Sequence, residues 1–320
     1  MAVTTSPDVR LSSLPPASGR AGLRGALASE LTKIRSVRST YWTLGALFAV
    51  AVGLGVAIAA GTAAHLNAHP MQKSGFDSTQ SSLFAFTYLG ELIIAVLGAM
   101  VITSEYSTGM IRTSLAAQPR RGVVYAAKGI TFGALTLVFS LVTAFTAFLA
   151  SQPLYSSTGV AVSLFGTSRI PGSMRPNCAQ TQQIGPGESR CMHPRPTVTS
   201  WLEIHPSAVL AAIVGTALVV PLVALIAYGV GALVRHTAGA IGIMIALIFV
   251  IPILENVLPT DWHNDIMRFL PDAANQVIPL TISGTGNPNL WSAWPQLGVT
   301  ALWAVVLVAA GAFLFRTRDA

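Results

Sequence analysis

The sequence predicts an all-α, polytopic membrane protein with six transmembrane helices, and three observations lead there. Of 320 residues, 52% are hydrophobic and only 10% charged, with a mean hydropathy of +0.62; a soluble domain carries about 25% charged residues. Six uncharged or nearly uncharged stretches reach the ~20 residues needed to cross a bilayer core. None shows the period-two alternation of an outer-membrane barrel, so helices, which satisfy their own backbone groups, are the structure lipid allows. An ordinary cytosolic enzyme is excluded.

Residues 1–22, rich in Ser, Pro and Gly, read as a disordered cytoplasmic tail without a cleavable signal peptide. The membrane domain is expected over residues 23–320. Leu23, Leu27, Leu31, Ile34, Val37 and Tyr41 recur at helical spacing, flanked by Lys33 and Arg35. This stripe predicts an amphipathic helix lying on the inner membrane surface, with Glu30 an imperfection in it; the plainer reading is a basic juxtamembrane anchor held by anionic lipid. The spans follow at Tyr41–Gly61, Leu83–Ile102, Val124–Ala150, Ser207–Val234, Ala238–Leu254 and Leu297–Phe315. Within them the charges are Glu91, in the middle of the second, and Lys128, near the start of the third.

After the second span the chain reads TSEYSTGMIRTSLAAQPRRGVVYAAKG. Glu105 and Arg112 bracket Gly109, and Met110, Ile111, Leu115 and Ala116 form a short apolar helical face that stops at Pro119. A short helix with an apolar face and charged ends, held just below the membrane, suits docking of another protein, whereas a solvated connector would carry fewer apolar residues between its charges. Between the third and fourth spans lies a long polar insertion, residues 153–206. Before the sixth, Trp262, Ile266, Phe269 and Leu270 line one face of a short segment with Thr260 as N-cap and Pro271 as stop, expected to dip into the outer leaflet or to form an aromatic belt with Trp42, Trp201, Trp291 and Trp294.

The net charge of +7 would suit nucleic acid if it were pooled on a soluble face. Instead, 13 of the 19 Lys and Arg residues fall before span one, after span two, after span four and after span six, and four of the other six sit in the long insertion, where charge weighs little on topology. Both termini are therefore predicted to be cytoplasmic in a multi-pass protein of the inner membrane, and nucleic acid is not an expected partner.

Glu91 is the buried anomaly. A carboxylate in mid-span costs about 2.5–3.5 kcal/mol on insertion scales, so it should face protein or a water-filled route and have a partner. It is either a polar contact on the substrate route or a structural group bonded to Tyr88 or a neighbouring helix. Cys178 and Cys191, thirteen positions apart in the external insertion, favour a disulfide over a metal site completed by His193 and His205, a spacing that matches no zinc pattern. His65 and His69 stand at i, i+4, without a third ligand in the pattern, and read as interfacial polar residues. No metal is expected. No serine, histidine and acid set converges, and Ser140 reads as bonded to its own helix. There is no G-x-x-x-x-G-K-[ST] loop, and GPGESR at Gly185–Arg190 lacks its lysine. If ATP drives this chain, another polypeptide binds it. No internal repeat of the kind found in many secondary transporters is evident.

The ELTKIRSVRSTYW segment, the EYSTGMIRTSLAAQPRR loop followed by Lys128, the six spans and FLPDAANQVI before the last of them together resemble the permease subunit of an ABC-2 type transporter, over about Leu23–Phe315. The resemblance implies that the first segment is a connecting helix and that Glu105, Gly109, Met110, Ile111, Arg112, Leu115 and Pro119 belong to a coupling helix docking on a separate ATPase. It places Leu270, Pro271 and Ala274 in the outer segment before the last span. It also implies export of a substrate as a homodimer or heterodimer, with ATP and Mg on the partner subunit and no cofactor on this chain. The contrasting reading is a six-span membrane enzyme or accessory protein with no ATPase partner.

Overall fold

The computed structural model describes residues 22–36, 38–110, 120–178, 181–185, 188–191, 194–251, 253, 266, 268–271 and 292–317. Helix α1 (Leu23–Ser36) leads into α2 (Arg38–Ala68), and α3 (Ser78–Ala85) continues through a π-helical turn, Phe86–Gly90, into α4 (Glu91–Ser107). Next come α5 (Arg121–Tyr155), four strands, α6 (Pro206–Val234), α7 (Thr237–Ile245) and α8 (Ala293–Thr317). Among the described residues, five helical runs are long and apolar enough to cross a membrane: Leu44–Ala68, Ser78–Ser107, Arg121–Thr158, Pro206–Val234 and Trp294–Thr317. The expected fifth span appears as the shorter apolar run Thr237–Val250; most of residues 252–265 lie outside the described residues.

Helix α6 is the centre of the bundle, packed against α4, α5, α7 and α8. Small residues let the backbones meet. A Cβ on Gly98 would lie 2.6 Å from the Ala224 carbonyl oxygen, and one on Gly229 would lie 2.6 Å from the Leu307 carbonyl carbon. Such close approaches increase dispersion contact where lipid offers no hydrophobic drive for helices to associate. Ser140 bonds its own helix, as expected, at Leu137 O (2.9 Å), but its Oγ also reaches Ala217 O on α6 at 2.7 Å.

At one end of the bundle the long polar insertion folds in large part as β-structure. Strands β1 (Ser168–Cys178) and β4 (Pro194–Ile204) pair antiparallel from Ser168 opposite Ile204 to Cys178 opposite Pro194, and β2 (Thr181–Gly185) pairs with β3 (Glu188–Cys191). In two-stranded ribbons every strand is an edge, so prolines at 171, 176, 194 and 196 cost no central ladder bonds. The chain is therefore a helical membrane domain with a β-ribbon insertion. The ribbon's base is tied down: Gly75 N–H donates to Pro171 O (2.8 Å), Ser74 Oγ donates to Gly172 O (3.0 Å), and Ile170 and Ile204 are buried in the same core as Leu66, Leu83, Phe148 and Tyr155.

Candidate functional site

The opposite, basic end gathers α1, the end of α4, the start of α5 and the ends of α6 and α8. On α1, Leu23 and Leu31 of the apolar stripe are 42% and 51% exposed. Its bundle face is Ala26, Glu30 and Lys33, at i, i+4 and i+7, against α5. Glu30, within the stripe by helical spacing, is turned toward the bundle and is 7% exposed.

There Glu30 joins an ion quartet. Its Oε1 accepts from Lys33 Nζ at 2.7 Å and its Oε2 from Lys128 Nζ at 2.9 Å. Lys128 Nζ also lies 2.7 Å from Glu105 Oε1, which is 3.7 Å from Lys33 Nζ. Two cations and two carboxylates cancel. Lys128, Glu30 and Glu105 are each under 9% exposed, so their desolvation is balanced only by one another. Burial pushes the Glu30 carboxyl up, but Lys128 and Lys33 outweigh it and hold the group below its ordinary value; burial pushes Lys33 down, and its bonds to Glu30 and Glu105 raise it overall.

The quartet ties three elements across the expected docking loop. Glu105 stands on the last turns of α4 and Lys128 two turns into α5, the two helices that the loop joins. At the loop's start, α4 ends with Thr108 as C-cap and Gly109 at φ +70°, a left-handed position that glycine adopts without strain. Met110 is 50% exposed just beyond it. Ile111, Arg112, Leu115 and Pro119 lie outside the described residues.

Beside the quartet sits an aromatic bolt. Arg235, the C-cap of α6, places its guanidinium 5.0 Å from the Tyr106 ring centroid, and its Nη2 donates to Leu314 O at 3.4 Å. Tyr125 packs on Tyr228 and Phe315 with centroids 4.8 and 5.4 Å apart, and Tyr228 Oη donates to Tyr125 O at 2.9 Å. Movement of α4 relative to α5 at this end must therefore also displace α6 and α8. Neither the quartet nor the bolt was assigned from sequence. The available signal was opposite charge where a membrane protein avoids it, Glu30 on a largely apolar helix and Lys128 at the head of a span.

Glu91 follows the π-helical turn directly and is 2% exposed. It borders a gap of about 10 Å³, room for about one water, whose other walls are Val223, Ile226, Met244, Leu247, Ile248 and Pro271. In this conformation the carboxyl faces packed protein. Toward the ribbon end, His65 Nε2 lies 2.8 Å from Gln72 Oε1, and among the described residues no group of three metal-ligating side chains converges. The cysteine backbones lie in β1 and β3, with their side chains outside the described residues. Of the outer segment, Ile266 and Phe269 are 40% and 57% exposed, while the Phe269 and Pro271 carbonyls accept from Trp303 Nε1 (2.8 Å) and Thr300 Oγ1 (2.7 Å) on α8. Thr260, Trp262 and Ala274 lie outside the described residues.

Compared with known protein families, the chain matches that of the ABC-2 family transporter proteins from residue 32 to 313. A comparison with curated proteins gives no match. The matched region begins within α1 and ends in α8; it contains Lys33, Glu105 and Lys128 of the quartet but not Glu30, together with the loop after α4, four of the five long apolar helices described and most of the fifth. The chain belongs to the ABC-2 family of transporter proteins and is a multi-pass membrane permease of the ABC transporter class.

Proposed function

We propose that this chain is the membrane-spanning half of an exporter whose ATP is hydrolysed on a separate subunit, working as a dimer of permeases in the cytoplasmic membrane with both termini inside. The observation that carries the reading is the buried quartet of Glu30, Lys33, Glu105 and Lys128, which joins α1 to the two helices flanking the exposed Gly109–Met110 turn. A force applied to that loop meets a rigid, desolvated junction. It is transmitted to α4 and α5 as a unit and, through Tyr106, Arg235 and Phe315, to α6 and α8. Two discrete packings of such a junction are what an inward-open to outward-open transition needs. The basic end faces the cytoplasm by the distribution of Lys and Arg. Helices α2 and α8, largely exposed in the single chain, offer faces to lipid and to the second permease.

The test is recovery of the full-length chain from its own membranes with an ATP-hydrolysing subunit attached. Wild type is expected to retain ATPase activity through purification, and Ile111→Asp with Leu115→Asp to lose it while the permease remains folded. Purification without any such subunit would instead support the accessory-protein reading.

A further inference from the structure

A second feature of the basic end lies outside the quartet. Between the start of α5 and the last turn of α8 is a groove of about 530 Å³, lined by Arg120, Arg121, Gly122, Val123, Arg316 and Leu23. The Arg316 guanidinium lies against the backbone of Gly122: a Cβ there would sit 2.6 Å from both Nε and Nη2 and 2.9 Å from Cζ. Only glycine lets α8 deliver its arginine so close to the first turn of α5. That turn has no side-chain cap at Arg120, so its amides add positive potential to the arginines. The described carboxylates at this end are Glu30 and Glu105, and both are taken up by Lys33 and Lys128. No described acid lies within ion-pair distance of Arg120 or Arg316, so these two guanidiniums make the groove a positively charged hollow.

Its walls say what kind of anion fits. Leu23, Val123 and Ala126 make one side apolar, and the helices that form it are both membrane-spanning, so the groove lies at the level where a span meets the head groups. Ile130 on α5 and Phe313 on α8, one turn further into the membrane, are 51% and 66% exposed. A soluble anion would not need such surroundings; a phosphodiester with acyl chains would.

We propose that this groove is a specific site for the head group of an anionic phospholipid of the inner leaflet, held by Arg120 and Arg316 across the α5–α8 seam. The site rests on the orientation proposed above only for which leaflet supplies the lipid. Because the groove joins the helix that begins after the docking loop to the last helix, an occupied site would brace the bolt formed by Tyr125 and Phe315 on the same two helices.

Delipidated full-length protein in detergent would be titrated with dioleoyl-phosphatidylglycerol, dioleoyl-phosphatidylcholine or inorganic phosphate, and bound lipid counted by native mass spectrometry. Phosphatidylglycerol should bind more tightly than phosphatidylcholine, and each of Arg120→Gln and Arg316→Gln should weaken it about fivefold, the worth of one basic residue near an anionic surface. Gly122→Ala, which keeps every charge but displaces Arg316, should weaken it as well, while Arg24→Gln, outside the groove, should leave it within twofold. Equal binding of the two lipids, unchanged binding in the double arginine variant, or displacement of phosphatidylglycerol by millimolar phosphate would each overturn the proposal. The assay needs neither orientation nor ATPase, so its failure is separable from failure of the transport reading.

Discussion

Lys128 carries the most consequence of any single side chain. Its ammonium lies between Glu105 and Glu30 at 2.7 and 2.9 Å and is 8% exposed, so removing it strands two buried carboxylates with only the half-exposed Lys33 between them. Lys128→Gln should destabilise the protein by about 3–5 kcal/mol, the range for a broken buried pair, whereas Lys33→Gln, whose side chain is 43% exposed, should cost under about 1 kcal/mol. Thermal unfolding in detergent would compare them, and equal losses would mean that the quartet is not desolvated as described. The pH dependence follows in sign. Glu30 is held below its ordinary 4.5, so its contribution is present above that value and is lost as pH falls through the lowered one; Lys33 is held above 10.5, so its contribution is present below that and lost as pH rises beyond. Neither of these two contributions changes across the neutral range. Asp77 behaves oppositely. It caps α3 by accepting from Thr79 and Gln80 N–H, yet burial pushes its carboxyl from 3.8 to about 6. Its ionised form is disfavoured in the fold, so stability falls as pH rises from 3.8 through about 6, by a total of about 3 kcal/mol. Asp77→Asn, which keeps a carbonyl acceptor for the cap, should be the more stable protein at pH 8 and lose that advantage below pH ~4. An advantage that does not change with pH would refute the assignment.

Among the elements, the spans were legible and their ends were not. Length and apolar content identify α2, the α3–α4 run, α5, α6 and α8 because lipid imposes both, whereas what stops each helix is local. Thus α4 extends five residues past the expected Ile102 to Ser107, ending where Gly109 takes the left-handed conformation. Glu30 shows why a site was harder to read than a span. Sequence reveals that a carboxylate sits on a membrane-surface helix, but its partner Lys128 is 98 residues away, and only packing of α1 on α5 brings them together. The ribbon escaped notice for a different reason: its strands are held by register between residues 168–178 and 194–204, and their prolines, which argue against a central strand, are harmless in a two-stranded ribbon. Helix contact can be tested where the backbones touch. Gly229→Val would drive a branched side chain into the Leu307 carbonyl group and should separate α6 from α8, lowering the unfolding temperature well beyond the same change at Gly53, where a Cβ meets nothing within 4 Å.

Over the whole molecule, the two ends divide the work. One carries the β-ribbon, anchored through Gly75 and Ser74 to the connection between α2 and α3. The other holds charge in two bonded arrangements, the quartet and the Arg235 bolt, and beside them the arginine groove. The composition that excluded a soluble enzyme is thus sorted along the chain, with 13 of the 19 Lys and Arg residues in the segments on the side where the proposed motor subunit would act. Met110, half exposed at the turn after α4, is where that claim can be met most directly. A photoreactive residue replacing Met110 in the full-length chain, irradiated in native membranes, is predicted to form its protein adduct with an ATP-hydrolysing subunit, and the same group at Phe165, on the ribbon side, to form none with it. Adducts from Met110 confined to lipid or to a second copy of this chain, or an ATPase adduct from Phe165, would contradict the account.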